Sequence, residues 1–417
     1  MKIWLINPYG PIPGEGWREY RYTMIGEALA ANGHTVVWWT ANFSHHFKRF
    51  RSPSWQDRQV SPGFTIRLVP TRSYVKNIGL GRIAFEMLYL WRLWRATRNG
   101  PRPDLIVTVN PPQTTSFLAV HLARLMKARV VVDVFDLWPE LFLLAIPRPL
   151  RFMGKLFFTP WYLLRWYSIR HADGVVAVCE DYMSVAKKAL GGLQTPVAVV
   201  YIGVDVGAIH DARLPDAAAE AFRRSAGKQP GRLWAIYPGT LGNNYDIPTL
   251  LETALLLQKR EIPVTIVIAG DGPLRGLVEE FIQTKCPTHL HYAGKLDPET
   301  LTRYYQASDI GLSPYVGEST VAMPTKIYDF LAAGLPIINS LRSEVAGLLR
   351  RDGSGLAYAP GDPESLFQAL RDLADDPAVL RRMAGKAALA AQRFDKKVQY
   401  DTLVAFIEKL PPVRDLT

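Results

Sequence analysis

At 417 residues with 48% hydrophobic content, the chain carries enough apolar side chain for two domains of ordinary size. Its two cysteines, Cys179 and Cys286, lack metal or redox spacing, which excludes a disulfide scaffold and fits a reducing compartment. The net charge of +11 is uneven: residues 1–200 hold 25 Lys and Arg against 12 Asp and Glu, and the remainder 24 against 26.

Ten of the eleven tryptophans also fall in the first 200 residues. This asymmetry points to an anionic surface, membrane or nucleic acid, as partner of that half. The opening meets two prolines within its first eleven residues and has no small-residue cleavage site, so a signal peptide is not expected. No apolar run reaches the length of a membrane span.

Lys2–Ile6 reads as a buried parallel strand. The loop NPYGPIPGEGW follows, with Gly14 and Gly16, and is expected to be mobile, contacting a ligand or closing on the other domain. RYTMIGEALAANGH is a helix stopped at Asn32–Gly33, and HTVVWWTA the next strand. Further strands are expected at Thr65–Val69, Leu105–Val109, Val130–Val134, Val175–Val178 and Val197–Val200, with helices between them. Such alternation predicts a doubly wound parallel sheet. After a polar stretch near Tyr201–Pro230 it resumes with strands at Leu233–Tyr237, Thr265–Ala269, Leu290–Tyr292, Ile310–Ser313 and Leu335–Ile338. Two α/β domains with a cleft between them is the architecture expected.

Within VVVDVFDLWPELF, Asp133 and Asp136 are open to three readings: paired acids, metal ligands, or a turn with a helix cap. The segments RSYVKNIGLGRIAFEMLYLWRLWRATRN and LFLLAIPRPLRFMGKLFFTPWYLLRWYSIRH interleave basic residues with Trp, Tyr, Phe and Leu at helical spacing. That is the makeup of an interfacial amphipathic helix, with core helices as the alternative. No nucleic-acid module accompanies them, and nucleic acid is not expected as a partner.

In the second half, YPGTLGNNYD places a Gly-rich turn after a strand, so that N–H groups from Thr240 to Asn244 are available to phosphates. VIAGDGPLRG repeats the arrangement at Gly270–Pro273. The stretch SPYVGESTVAMPTKIYDFLAAGLPIINS then gives a loop, a helix from Pro324 to Gly334, and a strand. Lys326 lies in the helix's first turn, where a cation opposes the dipole; a phosphate between them would remove the conflict. Asp329, one turn on, is placed to reach a hydroxyl. Loop, cation and carboxylate together suggest a nucleotide-diphosphate site.

In this order the segments resemble the retaining family 4 glycosyltransferases of GT-B fold, two Rossmann-like doubly wound domains facing across a cleft. The resemblance rests on the Gly14–Gly16 loop, AVCEDY around Glu180, YIGVD at 201–205, GTL at 239–241, GDGP at 270–273, YAGKL at 292–296 and the final stretch. It is nearest the subgroup with DLWPE, here Asp136–Glu140, and P-[ST]-K, here Pro324–Lys326. Where the family usually carries Arg and Lys after the first strand of its second domain, this sequence has Thr240 and Tyr245. Of the family's two glutamates, Glu318 matches the first and Asp329, with three residues inserted, the second; its His–Asp pair appears as Phe135–Asp136.

The resemblance implies an acceptor- and membrane-facing domain at 1–205, a nucleotide-sugar domain at 206–395, and a helix at 396–417 crossing back to the first. It implies transfer of a hexosyl or N-acetylhexosaminyl group from a nucleotide diphosphate sugar, a UDP-sugar, to a lipid-linked saccharide in bacterial surface polysaccharide assembly. Metal and other cofactors are not expected. Asp136, Glu318 and Lys326 are the expected catalytic residues. The expected donor-binding set is Gly14, Gly16, Gly239, Thr240, Leu241, Gly242, Asn243, Asn244, Gly270, Asp271, Gly272, Pro273, Lys295, Leu296, Thr325, Lys326 and Asp329. The protein is expected in the cytoplasm, held peripherally on the inner membrane face. The rival readings are a UDP-sugar epimerase of the same fold and a non-catalytic binder of anionic surfaces.

Overall fold

The computed structural model describes residues 1–16, 21–77, 79–144 and 146–412. The chain divides into two compact units, Met1–Ile202 with Lys397–Thr417, and Gly203–Lys396.

The first unit holds β1 (Lys2–Ile6), β2 (Thr35–Ala41), β3 (Phe43–Ser44), β4 (Arg49–Phe50), β5 (Gln56–Ser61), β6 (Phe64–Val69), β7 (Leu105–Asn110), β8 (Arg129–Val134), β9 (Gly174–Ala177) and β10 (Val197–Val199). Eight of them form one sheet in the order β10-β9-β8-β7-β1-β2-β6-β5. All its pairs are parallel except β5 with β6. The strands β3 and β4 make a small antiparallel ribbon of their own. Central strands read as unbroken apolar runs because helices cover both faces. The strand β5, QDRQVS, escapes a search for apolar runs because it is a polar edge strand. The helix Lys396–Glu408 packs Tyr400, Leu403, Val404 and Ile407 into this unit's core beside Leu5, Val107 and Val131.

The second unit holds β11 (Leu233–Pro238), β12 (Val264–Ala269), β13 (Leu290–Gly294), β14 (Ile310–Ser313), β15 (Ile337–Asn339) and β16 (Gly355–Ala357). They form a parallel sheet in the order β13-β12-β11-β14-β15-β16. Both sheets are doubly wound. The chain order reverses between β1 and β7 in one and between β11 and β14 in the other, and ligands of open α/β sheets bind beyond the strand ends at such points.

Candidate functional site

In the second unit the loops after β11 and β12 interlock through their backbones. Gly239 N–H donates to Ala269 O at 2.9 Å, Leu241 N–H to Asp271 O at 3.0 Å, and Leu274 N–H to Leu241 O at 2.8 Å. The approach is close enough to require glycine twice. A Cβ on Gly270 would lie 1.8 Å from Gly239 O, and one on Gly272 would lie 2.7 Å from Leu241 O. The turn then spends few of its own donors. Among the described residues, the N–H groups of Thr240, Gly242, Asn243 and Asn244 make no hydrogen bond. Val316 N–H donates to Asn244 O at 3.3 Å, tying this turn to the loop after β14.

The helix Thr325–Ala332 begins after Pro324 and ends just before Gly334, whose φ of +71° suits a left-handed stop. It packs close to β14 because Gly311 is bare; a Cβ there would fall 2.5 Å from the Phe330 ring. The first intrahelical bond is Ile327 N–H to Pro324 O, so Thr325 and Lys326 present first-turn amides.

Lys326 is almost wholly buried, and its Nζ makes no hydrogen bond among the described residues. It sits 4.2 Å from the ring centre of Tyr237, 4.6 Å from that of Tyr245 and 5.3 Å from that of Tyr315. Tyr237 is fixed by donating its hydroxyl to Thr240 O at 2.6 Å. Gly239 stands above the ammonium, since a Cβ there would be 3.5 Å from Nζ. Burial pushes the ammonium down to about 7, and the neighbouring Asp329 carboxyl offsets only part of that push. In this arrangement the three rings and Gly239 close off Nζ. Sequence reasoning missed this cage. Its signal was three tyrosines placed at or just beyond the carboxyl ends of β11 and β14.

Of the remaining expected residues, Asp329 is buried one turn beyond Lys326, and Thr325 is exposed at the helix start. Glu318 lies exposed in the turn after β14. Asp271 accepts from Gly272 N–H at 2.8 Å, and Pro273 is exposed beside it. Lys295 and Leu296 follow the edge strand β13, two strands away from β11.

In the first unit Asp133 is not a free acid. Both its oxygens accept from Arg21, at 2.8 and 2.9 Å, and Arg21 also donates to Val200 O at 2.6 Å. This fully buried pair ties the helix Arg21–Ala31 to β8, and it disposes of the reading of Asp133 as a paired acid or metal ligand. Asp136 lies in the loop after β8, accepting from Leu137 N–H at 2.8 Å and the Tyr182 hydroxyl at 3.4 Å. Burial raises its carboxyl above the ordinary range, against the opposing pull of Leu137, Trp138 and Tyr182. Among the described residues no group of three His, Cys, Asp or Glu is placed to hold a metal ion.

The loop carrying Asp136 is held from three helices. Trp138 O accepts from Gln113 at 2.6 Å and from Arg165 at 3.2 Å, and the Arg82 guanidinium stacks 4.4 Å from the Trp138 ring. Arg165 also makes a bidentate pair with Glu140 at 2.7 and 2.9 Å. Arg82 further donates to the Tyr9 hydroxyl at 3.0 Å, which in turn donates to Glu86. Tyr9, Arg82 and Glu86 were not singled out by the sequence.

The loop of Gly14 and Gly16 carries a buried ion pair between Arg51 and Glu15. Arg51 grips Glu15 at 2.8 and 3.0 Å and donates to Gly10 O at 2.8 Å, and Ile12 N–H donates to Glu15 at 3.0 Å. Burial pushes the Glu15 carboxyl up, but Arg51 more than offsets it and holds it below the ordinary value. Gly14 and Gly16 take φ of +83° and +74°, a left-handed conformation that suits glycine, and no protein atom lies within 4 Å of where a Cβ would be. The continuation at 17–20 lies outside the described residues.

Two doubly wound units, one with unspent amide donors and a buried lysine at its switch point, define a class of two-domain α/β enzyme that handles phosphorylated ligands. Family models match both units in order: a glycosyl transferase 4-like domain over residues 19–203 and glycosyl transferases group 1 over residues 232–376. The chain is thus a family 4-like glycosyltransferase of GT-B fold. An uncharacterised glycosyltransferase of Methanocaldococcus jannaschii is 26% identical over 148 residues, 35% of this chain and 36% of that one. An alpha-monoglucosyldiacylglycerol synthase of Streptococcus pneumoniae is 23% identical, over 42% of this chain and 39% of that one. The chain thus aligns with well under two thirds of these relatives' lengths. Among solved structures, sucrose-phosphate synthase from Thermosynechococcus elongatus superposes with a TM-score of 0.72 at 17% identity, covering 98% of both chains. HepE of Anabaena, in complex with UDP-glucose, gives 0.68 at 15% identity, covering 98% of this chain and 100% of that one. At such identity these two likenesses establish fold alone.

Proposed function

We propose that the protein transfers a sugar from a UDP-sugar, with retention of configuration, to a lipid-linked saccharide at an anionic membrane surface. The N–H groups of Thr240, Gly242, Asn243 and Asn244, with the amides that open the Thr325–Ala332 helix, receive the diphosphate. Lys326 adds its charge once the tyrosine cage opens. Preorganised donors of this kind stabilise a leaving diphosphate as its charge develops. Asp329 takes a ribose hydroxyl, Glu318 the donor sugar, and Asp136 the acceptor hydroxyl. The bond from the anomeric carbon to the diphosphate breaks, and the acceptor oxygen bonds to that carbon as its proton passes to the Asp136 carboxylate. UDP-glucose in the HepE structure and a diacylglycerol product in the name of the pneumococcal relative support the choice of donor and of a lipid acceptor.

The observation that carries the membrane reading is the surface of residues 150–166. Phe152, Leu156 and Phe157 are 69%, 76% and 68% exposed, and Met153, Leu163 and Trp166 are exposed beside them. Large apolar groups so open need a partner, and the exposed Lys155 sits among them. A second exposed stripe, Leu80, Ile83, Met87 and Trp91, runs along the helix Leu80–Thr97. No helix among the described residues is long and apolar enough to cross a membrane. Flotation with neutral and anionic liposomes tests the reading. Binding to anionic vesicles that is lost on Phe152→Ser with Leu156→Ser, with UDP affinity kept, is the expected result. Equal absence from both vesicle types would overturn it. No specific observation favours the epimerase or the non-catalytic binder.

A further inference from the structure

The second unit holds a cavity of about 360 Å³ at the opposite edge of its sheet from the β11 and β14 loops. Its lining includes Ser308 and Asp309, which lead into β14, and Gly334 and Leu335, which lead into β15. The space exists because the packed elements meet through small side chains: Ala219, Ala333, Gly334 and Ala384.

Three guanidinium groups border it, Arg213, Arg223 and Arg381. Arg213 and Arg381 make no ion pair or hydrogen bond through their side chains among the described residues, and Arg223 has only a loose partner, Glu220 at 3.4 Å. Arg213 is not on a loose strand of chain. Gln306 donates to Ala212 O at 2.8 Å and accepts from Leu214 N–H at 3.2 Å, pinning the segment on either side of it. Two carboxylates also face the cavity, and they differ. Asp309 is neutralised by Lys228 at 2.6 Å and accepts from Trp234 N–H at 2.7 Å. Asp216, exposed as the first residue of the helix Asp216–Ser225, has no side-chain partner among the described residues.

We propose that this cavity binds a small phosphorylated sugar, with Arg213, Arg223 and Arg381 on the phosphate and Asp216 on the sugar hydroxyls. Guanidinium forks match phosphate geometry, and the volume admits a hexose phosphate. A carboxylate among three arginines weakens the site's hold on a bare anion and offers an acceptor to one that carries hydroxyls. The helix Thr325–Ala332 has Lys326 in its first turn and ends at this cavity's wall, so a bound ligand abuts an element of the donor site.

The test is calorimetric titration of the full chain with glucose 6-phosphate and, separately, with inorganic phosphate. The wild type is expected to bind glucose 6-phosphate more tightly than phosphate. Arg213→Ala with Arg381→Ala should weaken glucose 6-phosphate binding at least about tenfold, with UDP affinity and melting temperature unchanged. Asp216→Ala should weaken glucose 6-phosphate but not phosphate. The proposal is overturned if glucose 6-phosphate does not bind at millimolar concentration or if the double arginine variant binds it as the wild type does. Equal affinity for the two probes would also overturn it.

Discussion

Replacing Lys326 by Met should make the ligand-free protein more stable while disabling it. The ammonium is buried under three tyrosine rings without a hydrogen bond, and its pKa falls from 10.5 to about 7. At about 1.4 kcal/mol per pH unit that displacement corresponds to roughly 4–5 kcal/mol of destabilisation near neutral pH. The ring faces return about 1–2 kcal/mol through cation–π attraction, leaving roughly 2–4 kcal/mol. Methionine fills similar space without charge. For a unit of this size the gain corresponds to a rise in melting temperature of about 4–16 °C. The sign of the pH dependence follows. Between about 7 and 10.5 the unfolded lysine holds a proton that the folded one has lost. The wild type therefore gains stability as pH rises through that window, and the variant should lose this slope. Melting curves from pH 6.5 to 9.5, with UDP titrations alongside, check both parts. A Lys326→Met protein that melts below the wild type at pH 7.5, or keeps the wild-type slope, would show that the ammonium is well satisfied and refute the reasoning.

Binding of UDP at pH 8 should take up a proton as Lys326 becomes charged beside the diphosphate, seen as a dependence of the calorimetric heat on buffer ionisation enthalpy. Identical heats in phosphate and Tris would count against it. Asp136→Asn should lower turnover by about 100-fold or more with UDP affinity unchanged. Because burial raises that carboxyl, wild-type activity should fall with decreasing pH above the ordinary carboxylate range. A pH profile of kcat/KM reads this directly. Asp133→Ala should destabilise by about 3–5 kcal/mol by stranding Arg21, while the activity of the molecules that remain folded is retained; denaturant titration with active-site counting separates the two.

The strands were legible wherever burial on both faces left an apolar run, as at Val130–Val134 and Ile310–Ser313. They were not legible at β5, whose polar composition belongs to a sheet edge, or at the two-residue strands of the β3–β4 ribbon. The glycines marked as phosphate-facing turns include 270 and 272, where another backbone comes within contact distance, a packing reason the spacing did not show. At 14 and 16 positive φ serves a turn clamped by Arg51. Spacing cannot tell which reason a glycine serves.

Charges were harder to read, because a sequence shows their number and not their partners. The basic, aromatic segment 151–170 suggested a cationic face that included Arg165, yet Arg165 is buried and spent on Glu140 and Trp138 O. What the surface presents there is chiefly Phe152, Leu156 and Phe157. Attachment through this face would therefore depend more on apolar insertion than on charge, and salt alone should release little of the bound protein. Lys326 makes the converse case. Its position in a helix's first turn pointed to a phosphate, but nothing in the spacing showed that Tyr237, Tyr245 and Tyr315 would close over it. Thr240 and Tyr245 stand where the resembled family keeps further cations, so on the proposed reading Lys326 is the cation left to meet the diphosphate. The consequence is that donor affinity should carry both the work of opening the cage and the proton that recharges the amine. Both make binding weaken as pH rises above 7, opposite to the trend expected of a permanently charged arginine.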